Sequence, residues 1–174
     1  MNRLIKLRRR LGRLGQTGVT LIEMLIVMGL LATFLLLLAT IFTETLDTET
    51  QTRSYSAVVS EGRFIVARLD YDIARASAVT TPAAPGDTSN SLVLTIGGSA
   101  YTYGLNDSHL ELTDTSGTAD LSSSDVQVSN LSFQTVGSAG SGNPTLRYSF
   151  TLTGTAQAVS GAESETFTST AGLQ

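Results

Sequence analysis

Residues 19–42 read VTLIEMLIVMGLLATFLLLLATIF, and the single charge in these 24 positions is Glu23. In helical form, at about 1.5 Å per residue, the run is roughly 36 Å long and exceeds the ~30 Å hydrocarbon core of a bilayer. It is therefore predicted to be a membrane segment. A cleaved secretory signal has an apolar stretch of about 7–15 residues followed by an A-x-A-like site. This run is longer, and its end, Ala39 to Thr43, offers no such site. Arg3, Lys6, Arg8, Arg9, Arg10 and Arg13 precede the run and few basic residues follow it. The positive-inside rule then keeps residues 1–18 in the cytoplasm and exports the remainder, a single pass with the C-terminal body outside.

Downstream, residues 43–80 contain no Pro and one Gly, and Val58, Val59, Ile65, Val66, Leu69 and Ile73 recur at spacings of three, four and seven. That periodicity predicts an amphipathic helix. No strong breaker separates it from the apolar run, so one helix is expected from about Val19 to about Val79, on the order of 90 Å long. The Pro- and Gly-containing stretch Thr81 to Asp87 ends it as a loop. Beyond it, Ser91–Ile96, Ala100–Leu105, His109–Thr113, Val126–Val136 and Thr145–Thr153 alternate apolar and polar residues between turn signals, as strands do. Glu163–Thr168 reads as a weaker edge strand. The Ser- and Thr-rich residues 113–124 and 137–145 read as mobile loops. The expected class is α+β, one long N-terminal helix packed on a C-terminal antiparallel sheet. The expected parts are a leader (1–18), a membrane half of the helix (19–42), an amphipathic half (43–80) and a β domain (81–174) that forms one globular unit with the amphipathic half.

Charge and composition exclude several functions. Six of the 11 basic residues lie before residue 18; the five others face 15 acidic side chains, a formal charge of −10 in place of −4. Such a body repels phosphate backbones, which argues against general nucleic-acid binding. The absence of Cys removes disulfides, thiolate metal sites and cysteine nucleophiles. His109 is the only histidine, stands beside a predicted turn, and has no second ligand type nearby. With one His and no nucleophile-elbow sequence there is no triad, and Gly97-Gly98 lacks the pattern of a phosphate loop. No constellation supports an enzyme, and no cofactor is expected.

Between the basic leader and the apolar run stands Gly18-Val19-Thr20-Leu21-Ile22-Glu23. This resembles the signal of type IV prepilins and pseudopilins: a short basic leader ending in Gly, an apolar first mature residue, then Thr-Leu-Ile-Glu opening a long apolar helix. Val19 occupies the place where that family usually has Phe. The resemblance implies cleavage between Gly18 and Val19 by a membrane-embedded prepilin peptidase, with N-methylation of the new amino terminus at Val19. It implies that Glu23 pairs with such an amine and fixes the axial register of subunits in a filament. The implied partners are other pilin or pseudopilin subunits, the inner-membrane assembly platform, and lipid before assembly. Phe64 to Ala76 (FIVARLDYDIARA) is similar to the helix end of J-type minor pseudopilins and related minor pilins, and the missing cysteines also favour a minor subunit. Gly29 and Ala32 would permit close helix approach. The expected role is a structural subunit of a secretion pseudopilus, a type IV pilus or a competence pilus. The alternative is a membrane-anchored binding domain that does not polymerise.

Asp70, Asp72 and Arg75 read as a solvated helix face rather than a specific interface. Asp107, Asp114, Asp120 and Asp125 invite a calcium site, but the fixed ligand-and-Gly loop pattern is missing, so solvated loop acids are expected.

Overall fold

A computed structural model describes residues 18–137, 144–158 and 161–173, with the side chains of 157 and 158 left aside. Leader residues 1–17 lie outside the described residues, as do positions 138–143 of the predicted Ser/Thr-rich loop. The chain forms two compact units, Met1–Glu44 and Thr45–Gln174. One helix, α1 (Leu21–Arg75, 55 residues), contributes to both. In the first unit its side chains are exposed throughout, and Leu21, Leu36 and Phe42 are each at least 64% exposed. This part is long and apolar enough to cross a membrane, with a mean hydropathy of 2.7 over its best window.

In the second unit α1 turns one stripe inward: Ser54, Val58, Gly62, Ile65, Leu69, Asp72 and Ile73. Steps of three and four keep these residues on one side of a 3.6-residue helix. The stripe packs on two antiparallel sheets built from nine strands: β1 (Ala78–Thr81), β2 (Thr88–Ser89), β3 (Leu92–Ile96), β4 (Ser99–Asn106), β5 (His109–Asp114), β6 (Gly117–Asp120), β7 (Val126–Val136), β8 (Thr145–Ala158) and β9 (Gly161–Gly172). One sheet runs β1-β3-β4-β5-β6 and the other β2-β7-β8-β9. Leu92, Leu94, Ile96, Tyr103 and Leu110 from the first sheet join Phe133, Leu146, Tyr148, Phe150 and Leu152 from the second in one core with Ile65, Leu69 and Ile73. The expected α+β arrangement is present, with two sheets where one was anticipated.

The helix ends at Arg75, short of the predicted Val79. The β-branched Val79, Thr80 and Thr81 fall in β1, which pairs along the edge of β3, with Val79 opposite Leu94. Ser77 starts that pairing through its N–H to the Thr95 carbonyl at 2.8 Å. The predicted loop over residues 113–124 is also corrected, since β6 pairs with β5 there, Thr118 opposite Thr113. All four β6 residues are exposed, so no apolar alternation marked this strand. Glu163–Thr168 does fall in an edge strand, β9, which is longer than anticipated at 12 residues.

Gly62 of α1 leaves room for the ring of Phe167 on β9. A Cβ at this position would overlap the ring of Phe167, which stacks on Phe150 with centroids 5.4 Å apart. Gly in a helix interior costs about 1 kcal/mol relative to Ala, and here the seat for the aromatic pair offsets it. Gly62→Ala is expected to lower stability by about 1–2 kcal/mol in spite of its better propensity, because the ring must leave its stack. Thermal unfolding of Gly62→Ala, Phe167→Leu and the double variant should show strong coupling, the double variant being more stable than the sum of the two losses predicts.

Candidate processing and assembly site

Gly18, Val19 and Thr20 precede the helix as non-regular, exposed backbone, and α1 opens at Leu21. The helix therefore starts two residues later than the predicted Val19. Thr20 is its N-cap: its Oγ1 accepts the Glu23 N–H at 3.3 Å. Thr-x-x-Glu at a helix start is the capping-box pattern, in which a hydroxyl satisfies one of the first-turn N–H groups left without intrahelical partners. The pattern was present in the sequence and explains locally why the helix begins there. Glu23 stands in the first turn, where the positive end of the helix dipole favours a carboxylate. Around Gly18 the space is open, with no atom within 4 Å of where a Cβ would stand. The Gly18–Val19 peptide bond is thus exposed and outside the helix, which opens at Leu21.

The structure brings together residues that the sequence left apart at the other end of α1. Asp72 is 1% exposed, so the expectation of a solvated face fails for it. Arg68 Nε donates to Asp72 Oδ2 at 2.7 Å, one helical turn away, and the Tyr103 hydroxyl on β4 donates to the same oxygen. Two residues earlier, the Tyr148 hydroxyl on β8 points its proton between Asp70 Oδ1, 2.6 Å away, and the Val66 carbonyl, 3.2 Å away. Each sheet therefore sends one buried tyrosine to one helix carboxylate. Burial, and then the neighbouring carboxylate, push the phenol of Tyr103 well above the usual tyrosine range. Burial followed by Asp70 does the same to Tyr148, against an opposing hydrogen bond from Ser169. Both phenols remain donors, which is what the carboxylates require. Arg75 does lie on the exposed face, its guanidinium carbon 4.8 Å from the Tyr71 ring centroid.

This polar pair fixes the angle and register of the helix on the two sheets, since a buried carboxylate that loses a donor carries a desolvation penalty. Tyr103→Phe and Asp72→Leu are each expected to cost about 1–3 kcal/mol in chemical denaturation, while the double variant costs clearly less than the sum, because no polar group is then left buried and unmatched. The only hint in the sequence was the odd placement of Asp72 beside Ile73 on the apolar stripe.

His109 is half-buried, its Nδ1 3.5 Å from Ser122 Oγ. Asp114 accepts from the Ser116 N–H and O–H at 2.7 and 2.5 Å. Ser116 is thereby the main reason its carboxyl is held below the usual range. Among the described residues no group of three or more His, Asp or Glu side chains could hold a metal ion. Comparison with protein-family models, with curated proteins and with solved structures returned no match.

Proposed function

We propose that the chain is the precursor of a structural subunit of a type IV pilus-like filament, cut between Gly18 and Val19 and then assembled by packing of its apolar helix. The observation that carries this reading is the sequence Gly18 to Glu23 placed at the open, non-helical mouth of a long exposed apolar helix. A peptidase needs a scissile bond that is free of helix and open to approach, and the exposed, non-helical Gly18 to Thr20 is compatible with that. A filament needs many parallel rods in fixed register. An apolar helix with one carboxylate near its top supplies both the rod and the register mark, provided that a cation is created next to that carboxylate.

Cleavage creates that cation. The α-amine of Val19 emerges one turn from Glu23 and can pair with it in the same chain or in a neighbour. Before assembly the helix crosses the inner membrane with the leader inside and the β body outside. The role is structural rather than catalytic, and the sequence Phe64 to Ala76 together with the absence of cysteine supports a minor rather than a major subunit. The decisive measurement is the intact mass of the protein extracted from native membranes. It should begin at Val19, with an added methyl group on the amine; a chain that begins at Met1 in every preparation would refute processing and leave the non-polymerising anchor as the better reading.

A further inference from the structure

The five basic residues that remain after residue 18 are not spread over the body. Arg53, Arg63, Arg68 and Arg75 lie on α1, whereas residues 76–174 carry one, Arg147, against eight carboxylates. On a wheel of about 100° per residue, Arg53, Phe64, Tyr71 and Arg75 fall within roughly 40° of one another, on the side away from the buried stripe. Phe64 and Tyr71 are 53% and 57% exposed, and Arg75 lies over the Tyr71 ring. That contact holds the guanidinium beside the aromatic edge, so this face presents apolar area and a fixed cation together.

A matching surface exists on the same molecule. Strand β6 is exposed along its whole length at the edge of its sheet, and its Asp120 stands directly opposite Glu111 of β5. Like charges in directly opposed positions destabilise a sheet. Asp114 closes the same hairpin, ionised through its Ser116 donors. A sheet edge that keeps acids opposite each other is stabilised by a cation brought from outside.

We propose that the Phe64–Tyr71–Arg75 face of one copy docks on the β5–β6 edge of a second copy, with Arg75 set against Glu111 and Asp120. The two surfaces differ, so the contact is heterologous and does not close on itself; repeated, it extends a chain of subunits. The inference rests on the filament reading and names one lateral contact within it.

Because the protein has no cysteine, introduced cysteines report unambiguously. Full-length Ala67→Cys and Thr118→Cys chains, whose exposed cysteines stand beside the two surfaces and spare Tyr71, Arg75, Glu111 and Asp120, are co-expressed with the assembly machinery and oxidised in the membrane. A cross-linked pair of one chain of each kind is expected. Arg75→Glu on the first chain should reduce its yield by about tenfold, and Glu111→Arg on the second should restore it. Cross-links only between two Ala67→Cys chains would overturn the proposal in favour of helix-to-helix packing, and a label at Ala67→Cys that reports lipid would overturn it in favour of a membrane contact. Leader removal and polymer sedimentation are read on the same samples. Processed polymer without the cross-link sinks this contact and leaves the subunit reading intact, whereas the cross-link in chains that are never processed keeps the contact and sinks the subunit reading.

Discussion

Gly18→Glu is expected to leave the leader on essentially every chain. On the proposed reading the bond to be cut, Gly18–Val19, lies in non-helical backbone before α1, and the peptidase must approach it closely from the membrane surface. Gly has no Cβ to obstruct that approach. Glu adds a long side chain and a negative charge directly beside the scissile bond, and a displacement of about 1 Å in the reacting geometry is enough to cost roughly a hundredfold in rate. No atom lies within 4 Å of a Cβ at position 18, so the same substitution is without effect on folding. The expected result is therefore a full-length chain of native far-ultraviolet circular dichroism and unchanged thermal unfolding, but with no mature-size product on intact mass analysis. Gly18→Ala, with one methyl group, should slow cleavage without abolishing it. Mature chain accumulating in Gly18→Glu at the normal rate would show that the cut, if there is one, lies elsewhere.

Much of the fold was legible because long segments carry a single unambiguous period. The run Val19–Phe42 is apolar on all sides and can only be a buried or membrane helix; Val58, Ile65, Leu69 and Ile73 repeat at helical spacing, and all four are buried. What was not legible depends on partners distant in sequence. Val79 to Thr81 join a sheet because β3 offers a free edge, a fact that no local window contains. Strand β7 shows the same limit. Val126 and Val128 face the core, and so do Leu131 and Phe133, although the two pairs have opposite parity and a straight strand would place one pair in solvent. Asn130, at φ +52°, absorbs the extra residue, and the pairing with β8 shifts register between Ser129 and Ser132. Asn tolerates the left-handed region better than most side chains, so the bulge lets both halves of one strand cover the core.

The candidate site divides in the same way. Gly18, Val19 and Glu23 take their proposed roles from local sequence alone: a glycine after a basic leader, an apolar residue after it, and one acid opening an apolar helix. The tyrosine–carboxylate pairs could not be read, since Tyr103 and Tyr148 lie 31 and 78 residues from Asp72 and Asp70. Only the fold makes them neighbours, and the burial of Asp72 follows from that meeting.

Glu23→Ala is expected to separate processing from assembly. On the proposed reading the bond to be cut, Gly18–Val19, lies outside α1, so the variant should still lose its leader. Inside a bundle of apolar helices, however, the α-amine of Val19 would then be buried without a counter-charge. Removing one partner of a buried ion pair costs roughly 3–5 kcal/mol, which corresponds to some two to three decades or more in the fraction of subunits incorporated. Two other contributions of Glu23 must be told apart from that one. Its place in the first turn favours the helix dipole by about 0.3–1 kcal/mol, and its N–H is capped by Thr20, a contact worth about 1 kcal/mol. Thr20→Ala removes the cap and keeps the charge, so it should incorporate at near-normal levels. Glu23→Gln keeps the shape and loses the charge, so it should fail as Glu23→Ala does. The measurement is the ratio of processed chain in sheared filaments to processed chain in the membrane for all three variants. If Glu23→Gln assembles normally, the carboxylate marks no register and the pairing with the new amine is wrong; if Thr20→Ala fails as badly as Glu23→Ala, the motif serves to start the helix and nothing more.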